Sequence, residues 1–227
     1  DGTGVCNIAV GLNALGAATT GDDNVAIGRL ALGAGVTTGN SNISIGKDSS
    51  DAITSGACNI AIGAGALGTA TDNCDNIAIG QSALALSDGD GDCNIAIGRT
   101  AMGAADVSGT DNIAIGHCAG CATTSGSINI NIGQYAGKKI TTGACNIAIG
   151  QVALGGATAV TGNDNIAIGK AAMDALTSGA CNIALGINAL GAATDTSDNI
   201  AIGRSALAAS VDDGACNIAI GMTAMGG

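Results

Sequence analysis

A five-residue run, Asn-Ile-Ala-Ile-Gly in its commonest form, returns thirteen times along the chain at intervals of 17 to 19 residues. A fixed period of this length is typical of stacked-repeat proteins, in which each repeat contributes one layer. The copies begin at Asn7, Asn24, Asn42, Asn59, Asn76, Asn94, Asn112, Asn129, Asn146, Asn165, Asn182, Asn199 and Asn217. The thirteen asparagines are therefore expected to stack as a structural ladder.

Within each run the pattern has period two, so the two Ile side chains leave one face of a strand while Asn and Ala leave the other. We expect each layer to bury its two Ile and one Leu. The short Ala-Leu segment that follows is expected to be a second extended stretch, and the Thr-Thr-Gly segment a corner. The pattern predicts an all-β fold, a parallel β-solenoid of about 13 coils of 17–19 residues with one repeat per coil, spanning residues 1–227 as a single array.

The composition excludes several classes of protein. The chain has no Phe, Trp or Pro, one Tyr and 39 Gly, so it cannot fill the wide interior of an ordinary globular domain. Its net charge of −11 argues against nucleic-acid binding and against docking on anionic membranes. No apolar run approaches the ~18 residues of a membrane span.

Both ends of the sequence fall inside a repeat, at Asp1-Gly2-Thr3-Gly4 and at Met225-Gly226-Gly227. Finished solenoids carry atypical capping repeats at their ends. We therefore expect this chain to be a slice of a longer fibre, or a subunit that stacks end to end.

The pattern Asn-x-Ala-Ile-Gly-x-x-Ala-Leu followed by Thr-Thr-Gly resembles the head repeats of trimeric autotransporter adhesins, and equally the related repeats of phage tail fibres and bacterial surface fibres. The resemblance covers essentially the whole chain. It implies three chains side by side, each a left-handed parallel β-roll, serving as a shaft or an adhesive head. On that basis the Asn-and-Ala face is a candidate for close contact between chains. The alternative is an amide ladder inside one chain.

Cysteine is unusually common, with nine residues. The residue before each repeat Asn is Cys six times (Cys6, Cys58, Cys93, Cys145, Cys181 and Cys216) and Asp five times. With one repeat per coil, these cysteines lie about 10 to 14 Å apart, beyond the ~7 Å that a disulfide allows. They would be free thiols or would pair across chains. If two repeats formed one coil, Cys58 and Cys93 would lie on neighbouring strands, so this alternative stays open.

Few residues are candidates for chemistry. Cys118 and Cys121 form a Cys-x-x-Cys beside His117, the single histidine, but no second ligand pair has zinc spacing, and a local disulfide is the preferred interpretation. The run Asp88-Gly89-Asp90-Gly91-Asp92 has oxygen ligands for calcium without the flanking pattern, so it is interpreted as an acidic turn. One histidine cannot supply a Ser-His-Asp set. The sequence predicts no enzyme activity, no metal and no cofactor.

The leading functional hypothesis is a structural or adhesive fibre segment, either a surface adhesin or a phage tail-fibre shaft. Such a segment would be extracellular, on a cell surface or on a virion. Its expected partners are copies of itself, in a homo-oligomer such as a trimer or stacked end to end, and a cell-surface receptor. The alternative is an ice-binding β-solenoid that uses a ladder of threonines: Thr19, Thr37, Thr54, Thr71, Thr124, Thr141, Thr177 and Thr194.

Overall fold

The structure is a computed structural model that describes residues 3–17, 19–33, 35–87, 90–156, 158–209 and 214–226. The chain forms two compact units, Asp1–Asp111 and Asn112–Gly227. The first unit contains strands β1 (Ile8–Val10), β2 (Val25–Ile27), β3 (Ile43–Ile45), β4 (Ile60–Ile62), β5 (Ile77–Ile79) and β6 (Ile95–Ile97). The second contains β7 (Ile113–Ile115), β8 (Ile130–Ile132), β9 (Ile147–Ile149), β10 (Ile166–Ile168), β11 (Ile183–Leu185), β12 (Ile200–Ile202) and β13 (Ile218–Ile220).

Each repeat forms one coil of a parallel β-solenoid. Within each unit, every strand pairs in parallel with the strand of the next repeat, and equivalent residues face each other, as Ile60 faces Ile77. The predicted fold class is confirmed, with one strand per coil and about 17 residues per coil. The alternative of two repeats per coil is wrong, because consecutive strands are hydrogen-bonded neighbours.

The prediction that each coil buries its two Ile is wrong, because the run is oriented the other way round. Ala167, in the middle of β10, is completely buried, whereas the following Ile168 is 38% exposed. The interior is built from the repeat Asn, the strand Ala, and the Ala-Leu or Ala-Met pair beyond the strand. Because two coil walls lie close together, small side chains fill most of this interior, and Ile points outward.

The expected second extended stretch is also wrong. After each strand the chain makes two successive tight turns, in which residues such as Leu30 and Leu32 adopt left-handed backbone angles, φ +57° and +48°. These turns still bond to the neighbouring coils, since Leu30 N donates to Leu12 O at 3.0 Å and Leu32 N to Ser49 O at 3.1 Å. The ladder of backbone hydrogen bonds therefore continues around the coil without a second strand.

The Gly that ends each strand is required by close approach of the coil above it. A Cβ placed on Gly150, which has φ +131°, would lie 2.6 Å from the carbonyl oxygen of Gly169. A side chain there would be strained by the backbone angle and would collide with that neighbouring backbone. The same requirement recurs coil after coil, which explains the invariant Gly column.

Two coils carry compensating substitutions in the interior. In the third repeat Ser44 replaces the strand Ala, and its hydroxyl lies 2.7 Å from that of Ser49. In the eighth repeat Asn131 replaces Ala, and Gly137 stands where ten of the other twelve repeats have Leu or Met. A Cβ on Gly137 would collide with the Asn131 amide, so the larger inward residue depends on the absent side chain opposite.

Candidate functional site

The outward side chains of the strands form an apolar surface in each unit, which we call the isoleucine face. It comprises the first and third residues of every strand, almost all of them Ile. Away from the terminal strands these residues are at most 38% exposed, the value for Ile168. An apolar patch that repeats over six or seven adjacent strands is larger than isolated surface hydrophobics, and patches of this kind are typical of interaction surfaces.

Two columns of exposed residues border this face. The leading column consists of the residues before each repeat Asn: Cys6, Asp23, Ser41, Cys58, Asp75, Cys93, Asp111, Ile128, Cys145, Asp164, Cys181, Asp198 and Cys216. The trailing column consists of the residues after each strand-ending Gly: Leu12, Arg29, Lys47, Ala64, Gln81, Arg99, His117, Gln134, Gln151, Lys170, Ile187, Arg204 and Met222. The leading residues have left-handed backbone angles, as in Asp164 with φ +58°, and both columns lie at the surface.

The leading-column cysteines are free and exposed, as expected for one repeat per coil. Cys74, one position earlier in its repeat, is also free, and its Sγ accepts a hydrogen bond from Ala57 N at 3.4 Å. The pKa of the Cys93 thiol is raised, first by desolvation and then by the negative charges of Asp111 and Asp75. A raised thiol pKa leaves less thiolate at neutral pH and lowers reactivity.

The repeat asparagines form a ladder inside each unit rather than a contact between chains. Asn165 donates from Nδ2 to the Oδ1 of Asn146 at 3.1 Å and to Gly179 O at 2.9 Å. Its own Oδ1 accepts from the backbone N and the Nδ2 of Asn182, at 3.1 and 3.0 Å. From Asn24 to Asn199 the repeat amides are buried and connect neighbouring coils in this way, whereas Asn7 and Asn217 are only partly buried. The hypothesis that the Asn-and-Ala face mediates chain-to-chain contact is wrong.

The predicted threonine ladder turns its hydroxyls toward the protein. The hydroxyls of Thr54, Thr124 and Thr177 donate to the backbone carbonyl of the next coil at 3.1, 3.1 and 2.8 Å. The same bond is made by Thr19, Thr37 and Thr141, whereas Thr71 and Thr194 donate to the carboxylate of the following residue. These hydroxyls serve stacking between coils, which disfavours a flat hydroxyl array offered to ice.

The structure joins Cys118 and Cys121 by a disulfide, with their Cα atoms 4.9 Å apart. Nearby, the rings of His117 and Tyr135 lie 5.0 Å apart, and the Lys138 ammonium lies 5.0 Å from the Tyr135 ring centre. Within the described ranges no group of three or more His, Cys or Asp side chains is arranged to hold a metal ion. Residues 88 and 89 of the acidic Asp-Gly run lie outside those ranges.

A shallow groove of about 440 Å³ lies on the outer loops of the second unit. It is lined by Gly156, Thr158, Asp174, Ala175, Gly191 and Thr194. Burial raises the pKa of the Asp174 carboxyl. The groove brings one carboxylate together with small residues and two threonines, and we assign it no chemistry.

The sequence interpretation missed the isoleucine face and the trailing column. Five of the seven Lys and Arg residues lie in that column, namely Arg29, Lys47, Arg99, Lys170 and Arg204. The signal was present in the aligned repeats, since five of the seven basic residues occupy the position after the strand-ending Gly. Its meaning depended on knowing that Ile, not Ala, points outward.

The fold and the exposed face define the class of protein: a parallel β-solenoid built from one-strand coils. No protein-family model matches the chain, and comparisons with curated proteins and with solved structures gave no significant match. No helix within the described ranges combines the length and apolar character that crossing a bilayer requires.

Proposed function

We propose that this chain is a segment of a structural or adhesive fibre and that it associates with copies of itself through the isoleucine face. The fibre would be extracellular, on a cell surface or a virion, and would act without catalysis. The observation that carries the proposal is the continuous apolar face in each unit.

The magnitude of this burial supports association. An Ile side chain contributes about 2 kcal/mol when fully buried, and away from the terminal strands at most 38% of an outward Ile is exposed, so covering two of them yields about 1 kcal/mol per coil. This is roughly 6 kcal/mol for the six strands of the first unit and 7 kcal/mol for the seven of the second. Association costs about 4–15 kcal/mol in lost freedom, so a stable assembly must cover nearly all of the coils. Long side-by-side contact satisfies this requirement.

The repeated coil also suits a load-bearing role. Each coil is fastened to the next by the Asn ladder and by backbone bonds such as Ile60 N to Asn76 O at 2.8 Å. Nearest-neighbour stacking of this kind lets a solenoid be any length. The resemblance to adhesin and tail-fibre repeats suggests three chains per fibre and a cell-surface receptor as a further partner.

Sedimentation velocity of the full chain tests the proposal. We expect the parent to sediment as an oligomer at micromolar concentration. A variant with Ile147, Ile149, Ile166 and Ile168 each replaced by Thr is expected to dissociate, because about 2 kcal/mol of burial is lost from each subunit at an interface with little surplus. The circular dichroism spectrum of that variant should be unchanged, since Thr suits an exposed strand position.

The matched control replaces Val36 and Leu86 with Thr, because both are exposed apolar residues outside the isoleucine face, at 53% and 44%. This control should sediment like the parent. A parent that stays monomeric at all concentrations, or equal dissociation of both variants, would overturn the proposal. Thermal hysteresis of the purified parent tests the ice-binding alternative, and clear activity would replace the fibre function with that one.

A further inference from the structure

The two columns that border the isoleucine face have opposite chemical character. The charged residues of the leading column are all Asp. The trailing column contains no Asp, and its charged residues are Lys and Arg. Both columns are exposed or nearly so. The apolar face therefore has an acidic and thiol-bearing edge on one side and a basic edge on the other.

The residue types at the two edges match coil by coil. In three of the five coils with a leading Asp the trailing residue is Lys or Arg, and in a fourth it is His: Asp23 with Arg29, Asp164 with Lys170, Asp198 with Arg204, and Asp111 with His117. In four of the six coils with a leading Cys the trailing residue is apolar: Cys6 with Leu12, Cys58 with Ala64, Cys181 with Ile187, and Cys216 with Met222.

Contacts within one coil do not explain this match. The three-residue strand that separates the two edges is about 10 Å long by itself, far beyond the reach of an ion pair. The trailing cations Arg29 and Lys47 pair instead with Asp48 on their own side of the strand, at 3.7 and 3.1 Å. The match is explained if the leading edge of one chain meets the trailing edge of another.

The relative direction of the chains decides which edges meet. When two or more copies face each other through the isoleucine face with their coils running in the same direction, the leading edge of each lies against the trailing edge of its neighbour. When the copies run in opposite directions, leading meets leading and trailing meets trailing. Antiparallel packing would therefore bring Asp toward Asp and cation toward cation, which is unfavourable.

We propose, building on the proposed fibre function, that the two edge columns specify parallel association of copies with equivalent coils at the same level. At this register Asp23, Asp164 and Asp198 each face a cation of the neighbouring copy. A displacement of one coil toward the C-terminal end keeps two such pairs, Asp23 with Lys47 and Asp75 with Arg99, but sets Asp164 against Ile187 and Asp198 against Met222. The opposite displacement keeps one, Asp111 with Arg99, and sets Asp23 against Leu12, Asp75 against Ala64 and Asp198 against Ile187. The level register therefore forms the most pairs.

The proposal commits the isoleucine face to a second copy of this chain as its occupant. Charge complementarity at the two edges favours that partner, and level packing is also the arrangement that covers the most coils. The two columns thereby set the register of association. Ion pairs favour the level alignment. A displaced alignment places an Asp against the apolar trailing residue of a Cys-containing coil, and the carboxylate is then desolvated without a partner.

Disulfide trapping tests direction and register together. In the Ile187→Cys variant, level parallel packing brings the introduced thiol to the level of Cys181 of a neighbouring copy, where a disulfide needs the Cα atoms to lie within ~7 Å. Mild oxidation with oxidised glutathione should then give a covalent dimer or higher oligomer. Peptide mapping by mass spectrometry should find the peptide containing position 187 joined to the one containing Cys181.

The matched control is Gln134→Cys. In the level arrangement position 134 faces Ile128 of the neighbouring copy, and it meets Cys145 only if the copies are displaced by one coil. We expect it to give no such cross-link. A cross-link from position 134 to Cys145, or one joining two copies of position 187 to each other, would overturn the proposal. So would the absence of any cross-link from position 187 in a chain that sediments as an oligomer.

Charge exchange supplies a second measurement. Asp198→Arg and Arg204→Asp should each weaken association about two- to fivefold at low salt, the range measured for exposed ion pairs, and the double variant should recover most of the loss. Additive losses in the double variant would contradict the pairing. A parent that never associates refutes the fibre function itself, whereas an oligomer with the wrong cross-links refutes only the register.

Discussion

Replacing Asn165 with Ala removes one rung from the interior amide ladder. Asn165 is fully buried, and its side chain makes two donor and two acceptor contacts. Some hydrogen-bond partners of Asn165 retain another bond after the substitution, and others do not. The Nδ2 of Asn182 keeps its bond to Thr196 O at 2.8 Å, and the Oδ1 of Asn146 keeps its bond from the backbone N of residue 165 at 3.0 Å.

The Asn182 backbone N–H and the Gly179 carbonyl would lose this side chain as their partner. Each buried polar group left without a partner costs about 1–3 kcal/mol, so the substitution should lower the free energy of unfolding by roughly 3–5 kcal/mol. Urea denaturation followed by circular dichroism measures this loss. A change in midpoint with an unchanged slope would show that stability, rather than the unfolded state, has changed.

The matched control is Asn217→Ala. Asn217 is only partly buried, in the last described coil, and donates from Nδ2 to the Oδ1 of Asn199 at 3.1 Å. Its loss should cost about 1 kcal/mol, the net value of an ordinary hydrogen bond. Equal costs for the two variants, or a loss below about 1 kcal/mol for Asn165→Ala, would refute the reasoning that the ladder is a buried and continuous support.

Three further predictions concern single positions. Gly150→Ala should cost about 3 kcal/mol or more by denaturation, because its Cβ would crowd a backbone carbonyl, whereas Gly221→Ala, with a similar φ of +129° but no such crowding, should cost distinctly less. Because burial raises the pKa of Asp174, the folded chain holds a proton that the unfolded chain has released, and stability falls as pH rises through that window. Asp174→Asn should therefore raise Tm at pH 7 and leave it unchanged below pH 3. Cys93 should react with iodoacetamide more slowly in the folded chain than in urea at pH 7.5, as followed by peptide mass spectrometry, and an equal rate would contradict its raised pKa.

The sequence was sufficient to predict the coil, because the thirteen aligned runs require one recurring geometry. It was not sufficient to predict which side of the strand faces inward. Ile and Ala alternate with period two, and both are apolar, so the pattern alone leaves two orientations open. The signal that decides between them is size: Ala167 fits between two close walls, and Ile168 does not.

The tandem turns were beyond sequence reasoning for a different reason. Large residues such as Leu32 and Met102 rarely adopt positive φ, so nothing in the Ala-Leu segment suggests a left-handed turn. Bonds to the neighbouring coils and burial of the side chain hold them there. Because the trailing column follows directly from the strand orientation, it could be interpreted only once that orientation was known.

Side-chain amide exchange, measured by NMR on the full chain, is the most direct test that the solenoid is sealed around an asparagine ladder. We predict that the Nδ2 protons of the buried rungs, such as Asn146, Asn165 and Asn182, exchange with solvent far more slowly than those of the exposed Asn40 and Asn163. Uniformly fast exchange of all asparagine amides would place these side chains in water and contradict the fold on which the fibre function depends.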